Sequence, residues 1–210
     1  RLVTPPSYAM HLECRNKTAR GAGEARRSSS PRRGTLWWMA LCLDLLLRPN
    51  EMMRSLLRRA KAAAGIEGRY IGLHVRHGDA CGNNGRQCLG AGGIAGEVRR
   101  MAFLYQVTQV VVATDSPDMI QHLQAHAPEI SWLHVPADRT QGSGSTMSGH
   151  VWPQMLRTRM GLLDRRAVAE LSIIDLLLLA DADYFIGQFS SAFSAVAFEL
   201  SVARKGTVPP

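Results

Sequence analysis

Three polar clusters in the sequence are of types suited to holding an anion, and each sits where an apolar run gives way to a loop. Arg76 directly follows the apolar stretch Tyr70–Val75, and Asp79 stands three residues further on. A guanidinium makes paired, charge-assisted bonds to a phosphate, and Asp79 is placed to orient it. A plain surface ion pair between the two is the alternative. Thr114 and Asp115 close a valine-rich run, and Ser190 and Ser191 precede the apolar stripe Phe193, Val196, Ala197 and Leu200. Serines at a helix start stand beside outward-pointing amides; together they cradle a phosphate, or the serine merely caps the helix.

Asp175 is the least expected residue, because Ile173-Ile174 and Leu176–Leu179 surround it. A buried carboxylate is costly unless donors meet it. The edge of a guanine offers two adjacent donors, N1–H and the N2 amine, while a neighbouring loop would serve a structural carboxylate equally. His74, inside an apolar strand, reads by itself as a core histidine whose ring needs a partner. Asp181-Ala182-Asp183 has the form of a DxD pair that holds a divalent ion against a diphosphate. It closes a long apolar helix and precedes a strand, however, whereas such a pair belongs after a strand. No Walker loop and no GxGxxG occurs, which argues against a P-loop enzyme or an ordinary dehydrogenase.

These groups need a scaffold that gathers them. Thr35 is a candidate cap for a helix ending before Pro49, and Asn50 for a second helix ending near Gly65 with Met53, Leu56, Leu57 and Ala60 on one face. Strands are expected at 70–75, 107–113, 130–135 and 184–187. Helices are expected at about 97–105, from Ser116-Pro117-Asp118 to Ala127, at 164–180, and after Ser191. The glycine-rich stretch 82–96 and the Gly/Ser-rich 138–150 read as loops. Strands alternating with helices predict an α/β fold, a Rossmann-like parallel sheet with helices on both faces. Ligands then bind outside the carboxyl ends of the strands, where the three polar clusters fall. The expected organisation is a leader at 1–34, a helical segment packed on the core at 35–65, and a Rossmann-like domain at 66–210.

Composition agrees with a globular chain: 46% of the 210 residues are hydrophobic. The formal charge of +8 is unevenly spread, since the leader holds eight Lys or Arg against two acids. Its composition predicts disorder. No aromatics are interleaved with its basic residues, so no nucleic-acid partner is expected. The remaining positive charge suits an anionic small molecule. Cys14, Cys42, Cys81 and Cys88 lack metal-site spacing; Cys81 and Cys88 flank a loop and are either a local disulfide or free thiols. Asn16-Lys17-Thr18 is a glycosylation sequon. No signal peptide is visible, and Leu36–Leu47 is too short to span a bilayer. The chain starts at Arg1 without a methionine, so a fragment is expected, with any membrane anchor upstream.

Taken in order, Leu47-Arg-Pro-Asn50, Ile71-Gly-Leu-His-Val-Arg-His-Gly-Asp79, Val112-Ala-Thr-Asp-Ser-Pro117, Asp175-Leu176 through Asp183-Tyr-Phe185, and Phe189-Ser-Ser191 resemble the alpha-1,6-fucosyltransferases. That family covers the N-glycan core enzymes and the rhizobial enzymes acting on chitin oligosaccharides, and the similarity spans roughly 37–204. It implies the donor-binding half of a GT-B glycosyltransferase, which inverts the fucose anomeric centre without a metal or other cofactor. GDP-fucose is the implied donor and a glycan hydroxyl the acceptor, in the Golgi lumen, with the full-length protein membrane-anchored. His74 and Asp175 are implied to hold the guanine, and Arg76 and Ser191 the diphosphate, with Arg76 the catalytic residue. His77, Asp79, Asp115 and Ser190 complete the expected donor site.

The sequence departs from the family pattern in three places. His77 stands where a second arginine is expected, making that contact weaker or pH-dependent. Ala80 replaces a lysine. Asn84 stands where the resemblance implies the acceptor base, and an amide cannot take a proton. A GDP-sugar-binding module without transfer activity is therefore the second functional expectation. A metal-dependent transferase using Asp181 and Asp183 is the third.

Overall fold

The computed structural model describes residues 34–77, 89–137, 145–147, 150–152 and 164–207. Their elements run α1 (Thr35–Leu46), α2 (Glu51–Ala63), β1 (Ile71–Val75), α3 (Ala91–Tyr105), β2 (Gln109–Thr114), α4 (Pro117–His126), β3 (Ser131–Leu133), β4 (Ser145–Met147), β5 (His150–Trp152), α5 (Arg165–Asp181), β6 (Tyr184–Ile186) and α6 (Ala192–Lys205). Four strands form a parallel sheet in the order β3-β2-β1-β6. The fold is α/β with helices on both faces, as the alternation of elements predicts.

Strand periodicity sorts the side chains between the two layers. Ile71, Leu73 and Val75 of β1, with Val110 and Val112 of β2, pack against Ile94, Val98 and Met101 of α3 and Ile120 and Leu123 of α4. The alternate positions face α5 and α6: Val111 meets Ile174 and Leu178, and Ala113 meets Leu179 and Ala197. Gly72 lies on this second face because α5 crosses so closely. A Cβ there would stand 2.8 Å from Ala182 Cβ and 3.2 Å from Leu179 Cδ2, a contact that no side chain fits without shifting the helix.

The strand order carries the functional geometry. From β1 the chain steps outward through β2 to β3, then returns to the other side of β1 as β6. In a doubly wound sheet this reversal opens a crevice between the carboxyl ends of the two strands that flank it. Here those strands are β1 and β6.

Several boundaries differ from expectation. Gly34, not Thr35, holds the N-cap position of α1. The helix expected near 97–105 begins six residues earlier, at Ala91, within the glycine-rich stretch. Burial of Ile94, Ala95 and Val98 outweighs the poor helix propensity of Gly92, Gly93 and Gly96. Residues 145–147, within the loop expected at 138–150, pair antiparallel with 150–152. Asn50 caps α2 as expected, accepting the Met53 amide at 2.9 Å.

Helix α2 lays Met53, Leu56, Leu57 and Ala60 on α5, and α1 lays Trp37 and Ala40 on α6. Charges reinforce both contacts: Asp181, ending α5, accepts Lys61 at 3.0 Å and Arg204 at 2.7 Å, while Arg204 reaches Asp44 of α1 at 3.8 Å. The opposite side of α1 is apolar and exposed at Trp38, Leu45 and Leu46. Among the described residues, no helix is long and apolar enough to cross a membrane. Cys42 is exposed and unbonded. Residues 1–33, and with them Cys14 and the Asn16 sequon, lie outside the described residues, as do Cys81 and Cys88.

Candidate functional site

A cavity of about 260 Å³ opens at the carboxyl ends of β1 and β2, on the α5/α6 side of the sheet. His74 and Arg76 reach it from the end of β1, Thr114 and Asp115 from the end of β2, Ser172 and Asp175 from α5, and Ser191 and Phe193 from the start of α6. Residues spread over more than half the sequence meet here because parallel strands present all their carboxyl ends on one side.

Arg76 leaves the sheet immediately after β1, tied by both its backbone and its side chain. Its backbone amide donates to Gln188 Oε1 at 2.9 Å. Its guanidinium pairs with the Asp115 carboxylate, whose other oxygen accepts the His77 amide at 2.8 Å. Asp115 is thus a two-oxygen bracket for the β1 end, holding the Arg76 side chain and the His77 backbone at once. The Arg76 side chain is 26% exposed and that of Asp115 only 11%, so the pair is sheltered from water yet borders the cavity. The Asp115 carboxylate thus orients the guanidinium at the cavity's edge.

His74 is buried, with Nδ1 2.6 Å from Ser194 Oγ and its ring 4.8 Å from that of Phe193. Burial, and then the positive charge of Arg76, pulls its pKa down to about 4. The ring is therefore neutral at physiological pH. Asp175 is also buried and faces the same cavity from the middle of α5. Its place in an otherwise apolar helix follows from the helical turn: it shares a face with Leu171 and Ser172, which also line the cavity.

Ser191 occupies the N-cap position of α6 but makes no side-chain capping bond. Its amide instead donates to Gln188 O at 2.8 Å, closing the turn that leads into the helix. The hydroxyl thus borders the cavity together with the outward-pointing first-turn amides. The capping alternative raised for Ser191 from the sequence is not what is found.

Of the expected site residues, His74, Arg76, Asp115, Asp175 and Ser191 meet in this cavity. His77 is half-buried at its margin and contributes a backbone contact; its ring is not in the lining. Ser190 is exposed on the preceding turn and does not line the cavity either, because the turn aims only the second serine inward. Asp79 lies outside the described residues, as do Ala80 and Asn84. Gln188 belongs to the polar strand end that the sequence marks at 188–191, whereas Ser194 and Phe193 are not anticipated as site residues. The one sequence signal for Ser194 is a polar residue beside the inward stripe of α6, three positions after Ser191.

Asp181 and Asp183 sit at the opposite end of the sheet. Asp181 binds Lys61 and Arg204, and Asp183 Oδ2 accepts the Tyr70 amide at 3.1 Å, before β1 begins. The strand direction separates both from the cavity. Burial, with the nearby Asp181 and Asp183 carboxylates, also raises the pKa of Tyr70, whose hydroxyl donates to Leu178 O at 2.7 Å.

No family model matches the chain. Solved structures with similar architecture include POFUT1 in complex with GDP-fucose, 13% identical with a TM-score of 0.49 over 77% of this chain and 45% of that one. The fucosyltransferase NodZ from Bradyrhizobium is 20% identical, with a TM-score of 0.40 over 70% of this chain and 41% of that one. NodZ alpha-1,6-fucosyltransferase soaked with GDP-fucose is likewise 20% identical, with a TM-score of 0.41 over 72% and 42%. The chain spans less than half the length of each of these structures.

Proposed function

We propose that the cavity binds GDP-fucose and that the chain is the donor-binding half of a GT-B fucosyltransferase acting on a glycan hydroxyl. The observation that carries this reading is the meeting of Arg76, Ser191, Asp175 and His74 in one cavity at the carboxyl ends of β1 and β2. Their chemistry divides as a guanosine diphosphate does. Arg76, Ser191 and the first-turn amides of α6 suit the diphosphate, and Asp175 suits the paired donors of the guanine edge beside His74.

In the reaction so inferred, the bond between the fucose anomeric carbon and the β-phosphate oxygen breaks, and its electron pair leaves with GDP. Negative charge grows on the diphosphate, where Arg76 and the helix amides already stand; such preorganised groups lower the barrier most. That arrangement supports departure of GDP without a metal. The acceptor oxygen attacks the opposite face and inverts the carbon, its proton passing to a base. The alpha-1,6 linkage and a Golgi location rest on the motif resemblance. Asn84, at the position the resemblance gives to that base, favours a second reading, a GDP-sugar-binding module without transfer.

Calorimetry with GDP, GDP-fucose and UDP tests both readings. GDP and GDP-fucose are expected to bind at least ~10-fold tighter than UDP, a difference of about 1.4 kcal/mol, with the same affinity in EDTA. Equal affinity for GDP and UDP overturns both readings. Affinity lost in EDTA restores the metal-dependent alternative. GDP binding with no release of GDP from GDP-fucose, whatever glycan is supplied, selects the binding module.

A further inference from the structure

We propose that Ser194 is a positioning residue that fixes His74 in its Nε2–H tautomer, so that the cavity presents a hydrogen-bond donor beside Asp175 and selects guanine over adenine. The selectivity rests on reading the cavity as a guanine-nucleotide site; the tautomer does not.

Ser194 is fully buried on the first turn of α6, with Oγ 2.6 Å from His74 Nδ1. A hydroxyl carries one proton and must place it on an acceptor. Among the described residues, Nδ1 is the one acceptor within reach of this hydroxyl. Ser194 therefore donates, Nδ1 accepts, and the single proton of the neutral ring resides on Nε2. The reverse assignment would bury the serine proton with no acceptor, which folded proteins avoid. Phe193 packs against the imidazole at 4.8 Å and limits its rotation. The pKa of about 4 keeps the ring neutral, so a tautomer, rather than a charge, is what the cavity presents.

The consequence follows from base chemistry. Guanine carries N2 amine, N1–H and O6 in sequence along one edge; a carboxylate accepts the first two, and O6 needs a donor. Adenine has an amine in place of O6 and a bare N1 in place of N1–H. Against Asp175 and an Nε2–H, adenine mismatches at both positions. With Ser194 removed, His74 is free to take the Nδ1–H form, whose Nε2 lone pair accepts the adenine amine.

Long-range 1H–15N correlation spectra of His74 in the unmodified, ligand-free chain provide the first test. An Nε2–H pattern is expected, and an Nδ1–H pattern overturns the inference whether or not the chain binds any nucleotide. In Ser194→Ala the spectrum should shift toward a mixture of tautomers. Affinities for GDP and IDP should fall together, each about fivefold, since IDP keeps O6 and N1–H and lacks only the amine. The preference for GDP over ADP should then shrink by about tenfold. Ser194→Thr, which keeps the hydroxyl, should restore the spectrum and the preference. An unchanged tautomer and an unchanged GDP-to-ADP ratio in Ser194→Ala overturn the positioning role. A correct tautomer in a chain that binds no GDP overturns the selectivity and the nucleotide reading while upholding the tautomer lock.

Discussion

The amide of Arg76 donates to the side chain of Gln188 at 2.9 Å, joining the end of β1 to the end of β6 across the reversal in strand order. The same glutamine accepts the Ser191 amide on its backbone carbonyl. One residue therefore registers both groups assigned to the diphosphate. Gln188→Ala is expected to raise the Kd for GDP by about 5–10-fold, the worth of one positioning hydrogen bond. An unchanged Kd by calorimetry would show that the two sides of the crevice keep their spacing without it.

Arg76 and Asp115 should separate charge from orientation. Arg76→Ala removes the cation and is expected to weaken GDP binding by at least ~100-fold, about 3 kcal/mol. Asp115→Ala keeps the cation but releases it and the His77 amide, so a smaller loss, about tenfold, is expected. Retained affinity in Arg76→Ala would remove the diphosphate assignment.

His74 gives the fold a pH dependence of known sign. Its pKa falls from 6.5 unfolded to about 4 folded, so between those values the unfolded chain binds a proton that the native one does not. Stability is then fully present above about pH 6.5 and declines as pH falls toward 4, by on the order of 3 kcal/mol. Urea titrations at pH 7.5 and 4.5 should show this loss in the unmodified chain and a shallower one in His74→Gln. Equal slopes in the two proteins would mean that other groups carry it.

Gly187 tests how tightly β6 and α6 close on this site. A Cβ there would lie 2.6 Å from the Phe185 ring and 3.0 Å from Ser194 Oγ, and Phe185 is buried. Gly187→Ala should cost about 1–3 kcal/mol by denaturant unfolding and disturb the His74–Ser194 contact. Full stability would mean that the ring repacks.

The acids at the far end of the sheet should act on stability alone. Asp181→Asn weakens the ties to Lys61 and Arg204 together. It is expected to lower stability by ~1–2 kcal/mol and to leave GDP affinity unchanged. A parallel loss of GDP affinity that manganese modulates would return Asp181 to the binding chemistry.

What the sequence made legible was governed by short-range chemistry. The valine-rich run that ends at Thr114, the Asn50 cap and the apolar spacing of α5 each depend on neighbours within a turn or a strand. Arg76, Asp175 and Ser191 were legible for the same reason: a charge after a strand, a charge within an apolar helix, a hydroxyl before a helix. The start of α3 was not, because burying Ile94 and Val98 against β1 and β2 decides it and no local propensity reports that contact. Nor was Ser194, whose role exists only once α6 lies across β1, 120 residues away in sequence. Asp115 as a bracket for Arg76 has the same character, a cross-strand pairing set by the register of Val75 against Thr114.

The strand order has a last consequence, for how the chain can be divided. One wall of the cavity comes wholly from residues 74–115 and the other wholly from residues 171–193, so a cut between β5 and α5 leaves each fragment with a complete wall and no cavity. A nucleotide would then act as the clasp between two separately expressed pieces, and its concentration would set how much of the pair assembles. A reporter split at that position would read out the ligand through reassembly, without any chemistry on the sugar.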